Sequence, residues 1–208
     1  ININAQSTGV NFGTTGLFHT FSTTATVAAL NLRNNVIVNN STANGTGLTI
    51  AFRRSASTNL NNYATTSNNN LFWAGGVGSC PSKFIYHDGT AGLQFAAFLA
   101  LVTPRETASV TEDPTFLSTS GAYANFLHIN PAIPTQIESA GAPIVGFTDD
   151  FDGNVRNVTT PDIGADEFAG IRGAFYYQSR FASGNWNVAT DWETSLTGGA
   201  GTWSTALA

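Results

Sequence analysis

Three observations predict an all-β chain of stacked parallel strands with one short helix. Short β-branched and aromatic runs recur through the first half of the 208 residues, separated by turns of Asn, Gly, Ser and Thr. Two runs match at a fixed offset. Asn34-Asn35-Val36-Ile37-Val38 and Asn69-Asn70-Leu71-Phe72-Trp73 lie 35 residues apart, inside the roughly 20–45 residues of a structural repeat. Charged residues are 10% of the chain, against roughly 25% in an average soluble domain. Strands buried on both faces read as continuous apolar runs, as parallel sheets require. Together these features predict a parallel β-helix, a solenoid in which each repeat lays its strands on those of the next.

The elements follow in order. Gly9-Val10-Asn11-Phe12 and Thr26-Val27-Ala28-Ala29-Leu30 are the first strand candidates. Leu48-Thr49-Ile50-Ala51-Phe52 follows the turn signal Asn44-Gly45-Thr46-Gly47. Asn34, Asn35, Asn69 and Asn70 are candidates for an asparagine ladder. Asn tolerates the left-handed backbone region, and its amide can pair with an equivalent Asn one repeat away; ordinary loop positions are the alternative. Leu93, Phe95, Phe98, Leu99 and Val102 have helical spacing. They predict a short amphipathic helix near residues 91–102, with Asp88-Gly89-Thr90 as its start signal. Beyond Phe168 the composition shifts. Ala169-Gly170-Ile171-Arg172-Gly173 reads as a linker, and Phe175 to Ala208 carries Trp186, Trp192 and Trp203 in Gly/Thr/Ser-rich sequence. The expected organisation is therefore a β-helix over residues 1–168 and an incomplete β-rich module within 169–208.

Three further stretches carry a family resemblance: Pro131-Ala132-Ile133, Thr148-Asp149-Asp150-Phe151-Asp152-Gly153-Asn154-Val155-Arg156, and Pro161-Asp162-Ile163-Gly164-Ala165-Asp166-Glu167-Phe168. In this order the segment resembles the close of right-handed parallel β-helix domains in large secreted and surface proteins of Bacteroidota type. The resemblance covers roughly Asn31 to Phe168. It includes the helix that precedes Asp113-Pro114-Thr115-Phe116. It implies a right-handed solenoid and export, and it names neither a ligand nor a reaction. The sequence after residue 175 is similar to the openings of further β-rich modules in such proteins. The chain has no Met and begins and ends in strand-like sequence, so it reads as a piece of a longer secreted polypeptide.

Composition excludes several classes. Net charge is −5, and the eight basic residues are scattered, which argues against nucleic acid as a partner. No apolar run approaches the roughly 20 residues of a membrane span. The single cysteine, Cys80, cannot form an internal disulfide and reads as a small buried hydrophobe.

Residues 1 to 85 contain no Asp or Glu, so the paired carboxylates of a polysaccharide hydrolase cannot be built on the strand-rich half. Arg53-Arg54 is the only basic pair and reads as solvated, while His19, His87 and His128 are isolated in sequence and read as structural. No nucleophile motif, P-loop, zinc-spaced Cys/His or dinucleotide signature is present. No catalytic residue is therefore expected.

The acidic run offers one conditional site. If a cation binds, Asp149, Asp150, Asp152 and Asn154 supply its oxygens, and Ca²⁺ is the cofactor such ligands suit. The structural alternative pairs one of these carboxylates with Arg156 and caps backbone amides. Trp186, Trp192 and Trp203 are candidate contacts for sugar rings or a partner.

The first functional reading is a non-enzymatic extracellular structural or adhesin-type module on the cell surface. Its partners would be other modules of the same polypeptide, glycans, or a secretion or surface-anchoring complex. The second is an accessory C-terminal part of a polysaccharide lyase or hydrolase whose catalytic part lies upstream. A third is secreted cargo held by its export machinery.

Overall fold

The structure is a computed structural model that describes residues 1–75, 82–121 and 124–173, together with three strand backbones further on. Seven strands and one helix form its body. They are β1 (Asn2–Ile3), β2 (Thr14–His19), β3 (Val36–Asn39), β4 (Thr49–Arg54), β5 (Leu71–Trp73), β6 (Lys83–His87), β7 (Gly92–Leu93) and α1 (Phe95–Val102). Successive strands alternate between two small sheets. One has the order β1-β3-β5 and is parallel throughout; the other, β2-β4-β6-β7, is mixed. Val36 pairs with Leu71, Ile37 with Phe72 and Val38 with Trp73. Thr14 pairs with Thr49 in the second sheet, and Thr49 with Lys83.

The right-handed parallel β-helix expected over residues 1–168 does not form. Among the described residues the two small sheets are not closed into a solenoid. Parallel pairing between strands stops at β5 and β6, where β7 folds back antiparallel on β6. Between α1 and residue 173 the described chain makes only isolated bridges, of both senses: Phe116–Ile129 and Asp149–Val155 are antiparallel, Leu71–Val110 and Thr135–Arg172 parallel. Sequence explains the change. Residues 103–168 hold no alternating apolar run, and their backbone groups bond instead to Asn, Asp and Glu side chains.

The helix begins at Phe95, later than its sequence signal suggests. Asp88 does not cap it. Its carboxylate accepts the amides of Thr90 and Ala91 at 2.8 and 2.6 Å, closing the β6–β7 turn, and these bonds hold its pKa below the ordinary value.

Sheet β1-β3-β5 is buried on both faces, with the two-residue period of a strand. Ile37 and Phe72 point into a core between the sheets, with Ala51, Phe52, Tyr63, Tyr86, Phe98 and Val102. Val38 and Leu71 point the other way, onto Ile129, Ile137 and Ile163. Phe52 lies at the centre of the first core. It stacks on Phe72 at 6.0 Å and meets Tyr63, Tyr86 and Phe98 edge-on. The 129–168 segment thus serves as the second wall of one sheet.

Asn34 and Asn69 both sit in the left-handed region, at φ 54° and 56°. Asn35 Nδ2 donates to Asn70 Oδ1 at 3.1 Å, and the Asn35 amide donates to the same oxygen at 2.9 Å. Asn34 and Asn69 reach outward instead, bonding Ala142 and Ala140 of the covering segment. One rung therefore joins the two repeats, and the flanking pair anchors the second wall. The stretch read as a linker returns to this wall, since the Thr135 amide donates to Ile171 O and the Gly173 amide to Thr135 O.

Three more strands, β8 (Tyr176–Ser179), β9 (Trp192–Ser195) and β10 (Ser204–Thr205), pair antiparallel as a sheet of order β10-β9-β8. Cys80, Trp186 and Trp203 lie outside the described residues, and β9, which carries Trp192, is described by its backbone alone.

Candidate functional site

The acidic run folds as a turn in which its members have different tasks. Asp150 Oδ1 accepts the amides of Asp152 and Asn154 at 2.9 and 2.8 Å. Its Oδ2 accepts the Glu167 amide at 3.0 Å and Asn154 Nδ2 at 3.1 Å. Burial pushes the carboxyl's pKa up, but these donors outweigh it and hold the pKa below its ordinary value. Both oxygens are engaged, so Asp150 is a structural anchor, and the side-chain amide of Asn154 is bound to it. Asp149 stands at the start of the turn, paired through its backbone with Val155. Asp150, Asp152 and Asn154 thus share one turn, closed by the Asp150 carboxylate. Arg156 pairs with Glu167 at 3.5 Å and donates to the carbonyls of Asp162 and Gly164, so it does not bridge to the turn carboxylates.

Asp152 instead faces His128, which sequence reading left as an isolated structural histidine. His128 Nε2 is 3.1 Å from Asp152 Oδ2, and its Nδ1 is 3.8 Å from Asp166 Oδ1. Asp166 Oδ2 accepts the Ile129 amide at 3.0 Å, which turns Oδ1 toward the imidazole. Burial raises the pKa of Asp166. The three side chains come from 128, 152 and 166, and only fold-level convergence brings them together. Spacing within the acidic run could not reveal this.

The trio stands at the edge of a cavity of about 380 Å³ walled by Val36, Ile37, Phe116, Phe126, Phe151 and Ile163. Among its described lining residues are no Ser, Thr, Cys, Lys or Tyr, and the carboxylates of Asp152 and Asp166 are the groups that face His128. A second, shallower groove of about 710 Å³ runs along residues 142–165. Val145, Phe147, Phe151, Val155 and Val158 on this segment are all at least 70% exposed.

Elsewhere the buried charges are structural. Arg54, read from sequence as half of a solvated pair, is fully buried. It donates from Nε to His19 Nδ1 at 3.1 Å, and from its other nitrogens to Asn59 O and Asn62 Oδ1 at 2.7 Å. Arg54 and Arg105 lie over the Tyr63 ring at 5.8 and 5.6 Å. Glu106, also fully buried, accepts from Tyr63 Oη, Ser109 Oγ and Asn70 Nδ2. Burial raises its pKa against these three bonds. Each of these groups is consumed by the core, whereas the His128 cavity and the 142–165 groove, among the described residues, open to the outside.

No known family profile, curated protein or solved structure matches the chain. Among the described residues no helix is long and apolar enough to cross a membrane.

Proposed function

We propose that the chain is a non-enzymatic extracellular module, structural or adhesin-type, of a large secreted bacterial protein, and that it works by presenting a contact surface. The observation that carries this reading is the exposed apolar ribbon Val145, Phe147, Phe151, Val155 and Val158. Contiguous apolar side chains in water mark a docking surface. Neighbouring modules of the same polypeptide, or a surface-anchoring complex, are the partners of this reading. Bonds between residues one repeat apart join the strands of the body behind the ribbon: Leu32 with Ser67, Asn35 with Asn70 and Asn11 with Thr46.

The test is display of the full chain on a bacterial surface, with adherence to glycan- and protein-coated supports compared for the native chain and a Phe147→Asp, Val155→Asp variant. Loss of adherence with an unchanged circular dichroism spectrum supports the reading. Products released from a panel of polysaccharides by the purified chain would refute it and favour the polysaccharide-active alternative.

A further inference from the structure

We propose that His128, Asp152 and Asp166 bind one divalent first-row transition cation of the Zn²⁺ type, with an open coordination position toward the apolar cavity. One ligand atom from each residue lies within 4.8 Å of the others. A tetrahedral cation held at about 2.0–2.2 Å by each donor sets them about 3.3–3.6 Å apart, so the carboxylates, which now face different nitrogens of the imidazole, must swing by about 1 Å or more onto one of them to complete the set.

Two further observations point to a cation. The first is charge. Asp152 and Asp166 bring two negative charges to the rim of a cavity whose described lining holds no Lys or Arg. The one other cationic group there, the Ile1 α-amino group, donates to Val36 O at 2.8 Å. Arg156 is engaged by Glu167 and two carbonyls. A dication balances two carboxylates and a neutral imidazole. The second is support behind the donors. The Ile129 amide fixes Asp166, and the Asp150 carboxylate fixes the turn that carries Asp152, through the Asp152 and Asn154 amides. Such outer bonds orient ligands before the metal arrives.

The donor set selects the metal class. Imidazole suits Zn²⁺, Fe²⁺, Ni²⁺ or Cu²⁺, whereas Ca²⁺ takes about six to eight oxygens. Three protein ligands leave a tetrahedral ion one position for water or an anionic ligand. The apolar walls strengthen that contact by lowering the local dielectric. The site shares Phe151 with the exposed ribbon, but its three ligands are untouched by Phe147→Asp and Val155→Asp, so either reading can fail without the other.

The experiment is calorimetric titration of the full chain with Zn²⁺ and Ca²⁺, together with the visible spectrum of the Co²⁺-loaded protein. Expected are one saturable Zn²⁺ site, binding weakened by at least about 10–100-fold, the cost of losing even an outer partner of a ligand, in His128→Gln and in Asp166→Asn, no change in Asp149→Asn, and a Co²⁺ spectrum of low coordination number. Absence of saturable Zn²⁺ binding, equal affinity in His128→Gln, or tighter Ca²⁺ than Zn²⁺ binding would overturn the assignment. The Co²⁺ spectrum of the native chain decides the matter if a variant fails to fold, since an octahedral hexa-aquo spectrum contradicts it.

Discussion

Removing the charge of Asp162 should flatten the chain's stability between about pH 4 and pH 7. Asp162 is 1% exposed. Its oxygens accept the Ser139 amide at 2.6 Å and the Phe168 amide at 2.9 Å. Burial drives its pKa up, these two bonds oppose the rise, and the carboxylates of Glu138 and Glu167 add to it; the result is about 6 against an ordinary 3.8. Arg156 faces the same segment but is held by Glu167 and by the Asp162 carbonyl. A folded-state pKa above the unfolded one means that the native chain binds more protons between the two values. The stabilising contribution is complete below about pH 3.8 and is lost as pH rises through about 6. The full shift corresponds to about 3 kcal/mol. Asp162→Asn cannot ionise. It also leaves one of the two amides without an acceptor, a penalty of about 1–3 kcal/mol that does not vary with pH. Urea denaturation midpoints of both proteins, taken across this range, should converge as pH rises, with the native chain losing up to about 3 kcal/mol relative to the variant. Parallel curves would refute the reasoning.

Further outcomes follow from the core. Phe52→Ala removes the ring at the centre of four aromatic neighbours and should lower unfolding free energy by about 3–5 kcal/mol in a urea melt. Glu106→Leu strands the Tyr63, Ser109 and Asn70 donors and should cost at least about 3 kcal/mol, whereas Glu106→Gln, which keeps an acceptor, should cost far less. Asn70→Ala breaks its bonds to Asn35, Leu32 O and Glu106. Amide hydrogen exchange at Asn35 and Val36 should then speed up by at least about tenfold, the factor that matches about 1.4 kcal/mol.

The pairing of Val36–Val38 with Leu71–Trp73 could be read from sequence because parallel strands keep a constant offset, and the flanking Asn pairs repeat at that offset. The step from this pairing to a full β-helix failed at Gly92. There the helical spacing begins, but Gly92 and Leu93 first form a strand that turns back onto β6. The burial of Arg54 carried no periodic signal, since its partners Asn59 and Asn62 lie in the following loop and His19 lies 35 residues back. In the acidic run, the Asp150 oxygens accept backbone amides and the Asn154 side chain, a turn-closing role that a string of carboxylates does not reveal. Asp166 and His128 became visible as a pair only once the chain had folded.

The bonds that tie one repeat to the next are mostly between neutral groups: Asn35 with Asn70, Asn11 with Thr46, Asn44 with Gly9 O, and the Leu32 amide with Ser67. Dissolved ions screen the attraction between exposed charges over a length of about 10 Å at 0.1 M salt, largely abolishing it beyond that, and they have little hold on dipoles in contact. Cohesion along this stack should thus be nearly the same in fresh water, brine or serum. Its register is set by the directions of amide and hydroxyl groups rather than by the sign of any charge. A chain so joined is suited to an environment whose salinity it does not control.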